Sequence, residues 1–245
     1  MRSSLSRVAD AVELEIVVPA FNEADRLAGS LKRAAAFLET QPWTSRLVVV
    51  DNGSSDDSAA VAASVPTGRV GIEVIGCAEP GKGAAVRRGL SACTAPYAGF
   101  FDADLSTPVE TLTRTMAELR AGAAAVIASR HAPGARFVTR QPLGRRVGGR
   151  VFRTLTRPLV PCVRDTQCGF KFFRRTALGA ALERCRVDGF AFDVELLRRV
   201  RAAGGEIVEV PVDWTDDRRS TFHPVRDGIA SFASVVSLYR TAVAR

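Results

Sequence analysis

An α/β fold, a mostly parallel sheet flanked by helices, is what this sequence predicts, on three observations. Apolar runs of strand length alternate with amphipathic stretches through the first 130 residues, the pattern of βαβ units. Polar residues gather directly after the strands, at Asn22, Glu23, Asp51, Asp102, Asp104 and Arg130, along the carboxyl edge where open α/β sheets bind ligands. The 245 residues, 47% apolar and 24% charged, have the size and composition of one globular domain with a substantial core.

Residues 13–19 (ELEIVVP) read as a buried strand. Residues 23–40 read as a helix, with Leu27, Leu31, Ala34, Ala35 and Leu38 on one face. A second strand at 46–50 (RLVVV) closes on Asp51-Asn52-Gly53-Ser54-Ser55-Asp56, a cluster that turns the chain and caps a helix at 57–64. A third strand at 70–75 leads to a helix at 81–92 opened by glycines. A fourth strand at 97–101 ends on Asp102-Ala103-Asp104, before a helix at 108–121 and a strand at 124–129. Past Arg130 the texture changes. Residues 136–157 hold seven arginines and no acid, and Leu143, Val147, Val151 and Leu155 recur every four residues. That spacing predicts a basic amphipathic helix, suited to an anionic membrane surface or to a solvated position over the core. Two short segments, 164–174 and 188–198, precede a strand at 206–212, a polar loop at 213–224 and a last helix at 227–244. In that helix Ile229, Phe232, Val236, Tyr239 and Val243 share a stripe.

The composition narrows the function class. The longest uncharged run, residues 89–101, falls short of the roughly 18 residues a spanning helix needs. Residues 1–23 carry acids and no small-residue cleavage site, unlike a secretory signal. Five cysteines without CxxC spacing and two histidines, His131 and His223, speak against a zinc or disulfide framework and for a reducing cytoplasm. Cys168 reads as a small buried apolar residue and both histidines as ordinary polar residues. The net charge of +8 favours an anionic partner. No nucleic-acid-binding motif is present and aromatics are only 7%, so that partner is not expected to be nucleic acid.

Three loops carry chemistry. In Asp102-Ala103-Asp104, two carboxylates flank a small residue at a strand end, where both can face one hard divalent cation; turn chemistry explains the same pair in isolation. Asp51 offers an acceptor to a base N–H or a ribose hydroxyl, or belongs to a turn and cap. Glu79-Pro80-Gly81-Lys82-Gly83 allows close backbone approach and adds a point charge, both suited to phosphate. It lacks the Walker spacing and reads as a turn when alone.

Taken in order, VPAFNE (18–23), VVVDNGSSDDS (48–58), PGKGAAVRRGL (80–90) and FFDADLSTP (100–108) resemble the family 2 glycosyltransferases of the GT-A, Rossmann-like fold. RDTQCGFKF (164–172), AFDVELL (191–197) and VPVDW (210–214) are similar to the dolichyl-phosphate β-glucosyltransferase and mannose synthase branch. Asp51-Asn52 stands where paired acids are usual. The resemblance implies one GT-A domain over 1–245, with a nucleotide-sugar half at 1–130 and an acceptor half at 131–245. It implies an inverting, metal-dependent enzyme that moves a hexose, glucose by resemblance, from a nucleoside diphosphate sugar, UDP-glucose, to a polyprenyl phosphate. The protein would then sit peripherally on the inner face of the cell membrane. By the same resemblance Pro19, Ala20 and Glu23 line the nucleoside pocket, and Asp51 with Gly53 holds the base. Lys82 and Ala103 belong to the donor site, and Asp102 and Asp104 hold Mg²⁺ or Mn²⁺ on the diphosphate. Arg130, Arg164 and Lys171 are expected at the acceptor phosphate, and Asp165 or Gln167 at the sugar. Asp193 is either the base for a hydroxyl acceptor or a residue that orients a cation, because a phosphate acceptor is already ionised. The alternative keeps fold and donor and takes a soluble sugar or natural product as acceptor. The oligomeric state is not encoded in these motifs.

Overall fold

In β1 (Leu14–Ala20), β2 (Ser45–Asp51), β3 (Gly71–Gly76) and β4 (Tyr97–Phe101), the side-chain period of two sends apolar residues alternately into two layers. Ile16 and Val18 join the layer that holds Leu27 and Leu31 of α1 (Ala24–Glu39), Ala62 of α2 (Ser58–Ala63) and Leu112 of α4 (Thr111–Ala121). Val17, Val48 and Val50 join the opposite layer, with Ala85 and Leu90 of α3 (Lys82–Ala92). Burial on both faces explains why β1 and β2 read as apolar runs, whereas β3, at the sheet edge, is partly exposed and carries Glu73. The computed structural model describes residues 11–139, 143–215 and 226–243. The first ten residues, the 216–224 part of the expected polar loop, which includes His223, and the side chains of Leu143, Ile229 and Val243 lie outside the described residues.

The second half adds β5 (Ala125–Ser129), β6 (Arg136–Phe137), α5 (Leu143–Thr156), β7 (Phe170–Arg174), α6 (Arg175–Glu183), α7 (Phe192–Ala202), β8 (Ile207–Pro211), β9 (Asp213–Trp214) and α8 (Arg226–Val243). The main sheet runs β3-β2-β1-β4-β7-β5-β8, with β6 and β9 in a separate parallel pair. From β1 the chain steps outward to β2 and β3, then returns to β4 on the other side of β1. That reversal opens a crevice at the carboxyl ends of β1 and β4, the ligand position of this class of sheet.

Three expectations are corrected here. The segment 164–174 contains a strand: β7 lies antiparallel between β4 and β5. The residues before it sit at the carboxyl edge, with Phe170 opposite Phe101, so the strand that leaves them must run back across the sheet. The two halves of the chain therefore share one sheet. The basic helix begins at Leu143 rather than at 136, and Arg136 and Phe137 instead pair with Asp213 and Trp214. In the last helix Phe232 and Tyr239 of the expected stripe pack against the core together with Val235 and Leu238, while Val236 is exposed.

The apolar stripe of α5 points outward. Val147, Val151 and Leu155 are 62%, 46% and 42% exposed, while Phe152 turns in, edge-on to Phe232 of α8 at 5.7 Å between centroids, and Thr156 is buried. The Tyr239 hydroxyl donates to the Leu155 carbonyl at 2.6 Å. Among the described residues no helix is long and apolar enough to cross a membrane.

Candidate active site

The strand-end motifs co-occur because they hydrogen-bond to one another. Asn22 takes a left-handed backbone (φ 54°) after β1, a conformation asparagine tolerates better than most residues. Its N–H donates to Ser54 Oγ at 3.0 Å, and its Oδ1 accepts the Ser55 N–H at 2.8 Å. The Glu23 N–H donates to Ser58 Oγ at 2.7 Å, and one Asp56 oxygen accepts the Ala24 N–H at 3.0 Å. Asp57 holds the N-cap position of α2 without a side-chain cap bond, and Asp56 before it accepts the Ser58 N–H at 3.0 Å. Asn52 ties in the third loop: its side-chain amide donates to the Glu79 carbonyl at 2.7 Å and accepts the Gly81 N–H at 2.9 Å. Asparagine can both donate and accept, and a carboxylate in its place could not donate to that carbonyl.

This frame places the expected donor residues along one edge. Pro19 and Ala20 end β1 opposite Val50 and Asp51, and Gly53 turns the next loop with φ 76°. Asp51 Oδ2 accepts the Ser54 N–H weakly, at 3.4 Å, and its Oδ1 is buried without a hydrogen bond. A buried acceptor left open in this way is costly unless a donor arrives. The Glu23 carboxylate is engaged by Arg26 in an ion pair.

Asp102 and Asp104 follow β4, with Ala103 buried between them. The Asp102 N–H donates to the Gly169 carbonyl at 2.9 Å. A Cβ on Gly169 would lie 1.8 Å from Asp102 Oδ2, so only glycine lets the 164–172 motif close on this carboxylate. Lys82 Nζ lies 2.6 Å from Asp102 Oδ1. Burial, then the charge of Asp102, pushes the Asp104 carboxyl above its ordinary range. Leu105 takes a left-handed backbone (φ 48°) and donates its N–H to the Asp102 carbonyl at 3.0 Å, a strained turn of the kind found at functional sites. Two carboxylates at one strand end fit a hard divalent cation that keeps waters and takes its remaining oxygens from a diphosphate. Asp102 and Asp104 would hold it. Among the described residues no cluster of three or more His, Cys, Asp or Glu offers a complete protein cage.

The acceptor-side expectations are partly redrawn. Asp165 is not free to meet a sugar. Both of its oxygens fork onto Arg130, at 2.7 Å to Nε and 2.8 Å to a terminal nitrogen, and they also accept the Arg130 and Gln167 N–H groups at 2.9 and 3.2 Å. Burial opposes its charge, yet the Arg130 guanidinium holds the carboxyl well below the usual range. Arg130 lies 5.3 Å from the Trp214 ring centroid, so an aspartate and an indole fix the one guanidinium at the end of β5. Gln167 is placed beside this clamp through its backbone. Arg164 is exposed, its N–H held at 3.0 Å by Glu209, which also accepts the Asp165 N–H at 3.0 Å. Lys171 cannot reach a surface phosphate as placed: it is fully buried, bonded to the Cys168 carbonyl and paired with Asp193 at 2.8 Å. The reason lies in β7, where residue 171 points into the layer beneath Phe100. Burial pushes the Cys168 thiol up to about 11, which leaves it protonated and unreactive. His131 packs on Phe137 at 5.6 Å and touches Arg153 of α5.

Gly169, Asn52, Trp214 and Glu209 are positions at the candidate site that residue-type reasoning passes over. Trp214 carried a signal as a tryptophan beside a strand-end acid; the other three act through contacts distant in sequence.

A family model described as Glycosyl transferase family 2 matches residues 15–181. A dolichyl-phosphate beta-glucosyltransferase of Drosophila melanogaster is 34% identical over 238 residues, covering 87% of this chain and 70% of the relative. One from Trichomonas vaginalis is 31% identical over 212 residues, covering 82% of this chain, which spans 63% of that relative's length. Among solved structures, glucosyl-3-phosphoglycerate synthase of Mycobacterium tuberculosis in complex with UDP superposes with a TM-score of 0.72. It is 20% identical and covers 93% of this chain and 80% of its own. The same enzyme with Mn²⁺, UDP and glucosyl-3-phosphoglycerate gives 0.70 at 19% identity, covering 94% and 80%. At that identity the likeness is one of fold.

Proposed function

The chain belongs to glycosyl transferase family 2, and from that premise we propose an inverting, metal-dependent transfer of glucose from UDP-glucose to a polyprenyl phosphate. The observation that carries this is the pairing of Asp102 and Asp104 with the Asp165-clamped Arg130 along one sheet edge, joined by the Gly169 wedge. The first 130 residues supply the donor side and the remainder the acceptor side. Asp51 Oδ1, buried and open, accepts the N–H of the base, which suits uracil. Bound Mg²⁺ or Mn²⁺ would stabilise the negative charge that develops on the leaving diphosphate. Lys82 adds a fixed ammonium to the same charge. Arg130 orients the acceptor phosphate, one of whose oxygens attacks the anomeric carbon as the bond from that carbon to the diphosphate breaks. A phosphate needs no base to become a nucleophile, which agrees with an Asp193 tied to Lys171 rather than turned to solvent.

The relatives are named for a dolichyl phosphate acceptor, and α5 supports a lipid acceptor here. Its outward valines and leucine lie among Arg146, Arg150 and Arg157, all exposed, with no acid between 136 and 164. This is the composition of a helix lying on an anionic bilayer, and it supports a peripheral position at the cytoplasmic membrane face. The protein is expected to sediment with vesicles containing anionic lipid and not with neutral ones; equal behaviour with both removes the membrane contact.

The reaction is tested by offering UDP- and GDP-hexoses with Mn²⁺ or Mg²⁺ and a short polyprenyl phosphate. A lipid-linked glucose formed only from UDP-glucose and only with the metal is the expected product. Donor hydrolysis without lipid product moves the acceptor to a soluble sugar or natural product, and no turnover of any donor sinks the proposal.

A further inference from the structure

Lys82 opens α3, next to the first turn of α7, which carries Asp193. Its ammonium lies 2.6 Å from Asp102 Oδ1. Gly83, its neighbour, meets Phe192, the neighbour of Asp193, so closely that a Cβ on Gly83 would come within 2.5 Å of Phe192 Cβ. The first turns of α3 and α7 are thereby in contact. Lys82 and Lys171 ammoniums both lie over the Phe100 ring, at 6.0 and 5.5 Å from its centroid. Asp193 Oδ1 is 2.8 Å from Lys171 Nζ but lies off the hydrogen-bond direction, a buried carboxylate oxygen with no hydrogen bond.

When a divalent cation at about 2.1 Å binds the oxygen that the ammonium holds at 2.6 Å, the repulsion between the two cations exceeds what the ammonium gains from that oxygen, so the ammonium is the partner that is displaced. The cluster holds three carboxylates, Asp102, Asp104 and Asp193, against two ammoniums. We propose that Lys82 occupies the cation's place at Asp102 and passes its ammonium to Asp193 Oδ1 when a divalent cation enters. Asp193 is thus the positioning residue for the donor-site lysine. The exchange needs only rotation of a flexible four-carbon stem, and it fills the one open acceptor of the buried pair. This rests on the reading that Asp102 and Asp104 hold the cation.

The test is Mn²⁺ binding without donor, followed by loss of the free-ion paramagnetic resonance signal. Lys82→Met is expected to bind Mn²⁺ about fivefold more tightly or better, the low end of ordinary coupling between two sites. In an Asp193→Asn background, where the ammonium has no second carboxylate, the gain from Lys82→Met is expected to be larger again by about that factor. Asp193→Asn leaves the Lys171 ammonium buried and unpaired, which alone can unfold the chain. The comparison is therefore repeated with Lys171→Met/Asp193→Asn, where the ion pair leaves as a pair. No tightening with Lys82→Met, or the same gain in both backgrounds, overturns the inference while the cation site stands. If the unsubstituted protein binds no Mn²⁺ with or without UDP, the cation site falls and the inference with it.

Discussion

Asp104→Asn is expected to lower sugar transfer about a thousandfold or more, because the several kcal/mol that a metal supplies to a leaving charge is lost with one of its two protein ligands. The same substitution should leave the melting temperature unchanged or raise it. Burial, then the Asp102 charge, raises the folded carboxyl above its ordinary value, so near that value the native state binds more protons than the unfolded chain. The stability held by the neutral form is complete below about pH 4 and lost as pH rises through the raised value. At neutral pH the ionised Asp104 is therefore a cost, and an amide of the same shape removes it. A site that gives up stability for function behaves in this way. Mn²⁺ should raise the melting temperature of the unsubstituted protein through binding to the folded state only, and that rise should vanish in the variant. Thermal melts at pH 7 with and without Mn²⁺, beside the transfer assay, check all three. Full transfer in the presence of Mn²⁺ would take Asp104 out of the cation site.

The parallel strands were legible because their code is local. A strand buried on both faces needs only apolar, β-branched residues in a run, and β1, β2, β4 and β5 appear within a residue or two of their expected limits. Asp102, Asp104, Asp51 and Lys82 were legible because a polar residue after such a strand has one place to go, the carboxyl edge. β7 was not, since FKFFR carries a lysine mid-strand, and that lysine is acceptable only because Asp193, on a helix formed later in the chain, comes to meet it. Arg130 and Asp165 were both singled out, but their pairing across 35 residues depends on tertiary structure, and it changes Asp165 from a residue near the sugar into the holder of the arginine. The outward stripe of α5 shows the limit of periodicity: spacing identifies an apolar face but not whether protein, solvent or lipid lies against it.

Asp165→Ala is expected to destabilise the protein by about 3–5 kcal/mol, the usual result of removing one partner from a buried ion pair. Arg130 would keep its place beside Trp214 with a largely buried guanidinium that has lost its carboxylate. The pair also predicts acid sensitivity. The folded Asp165 carboxyl lies well below its unfolded value because the Arg130 guanidinium outweighs the cost of burial. Its contribution is therefore complete above about pH 5 and is lost as pH falls through the unfolded value near 3.9 toward the folded one. Denaturant melts at pH 7 and pH 3.5 should show the loss in the unsubstituted protein and a smaller one in Asp165→Ala. A structural pair and a functional one part company in Arg130→Met/Asp165→Leu, where both charges leave and packing is kept. Stability should return to within about 1–2 kcal/mol of the unsubstituted protein. If Arg130 orients the acceptor phosphate, the variant's KM for polyprenyl phosphate should rise at least about tenfold, the loss of one charge-assisted hydrogen bond, with the KM for donor little changed. A stable variant with an unchanged acceptor KM would make the clamp a structural strut, and the phosphate would then have to meet the exposed Arg164 at the neighbouring turn.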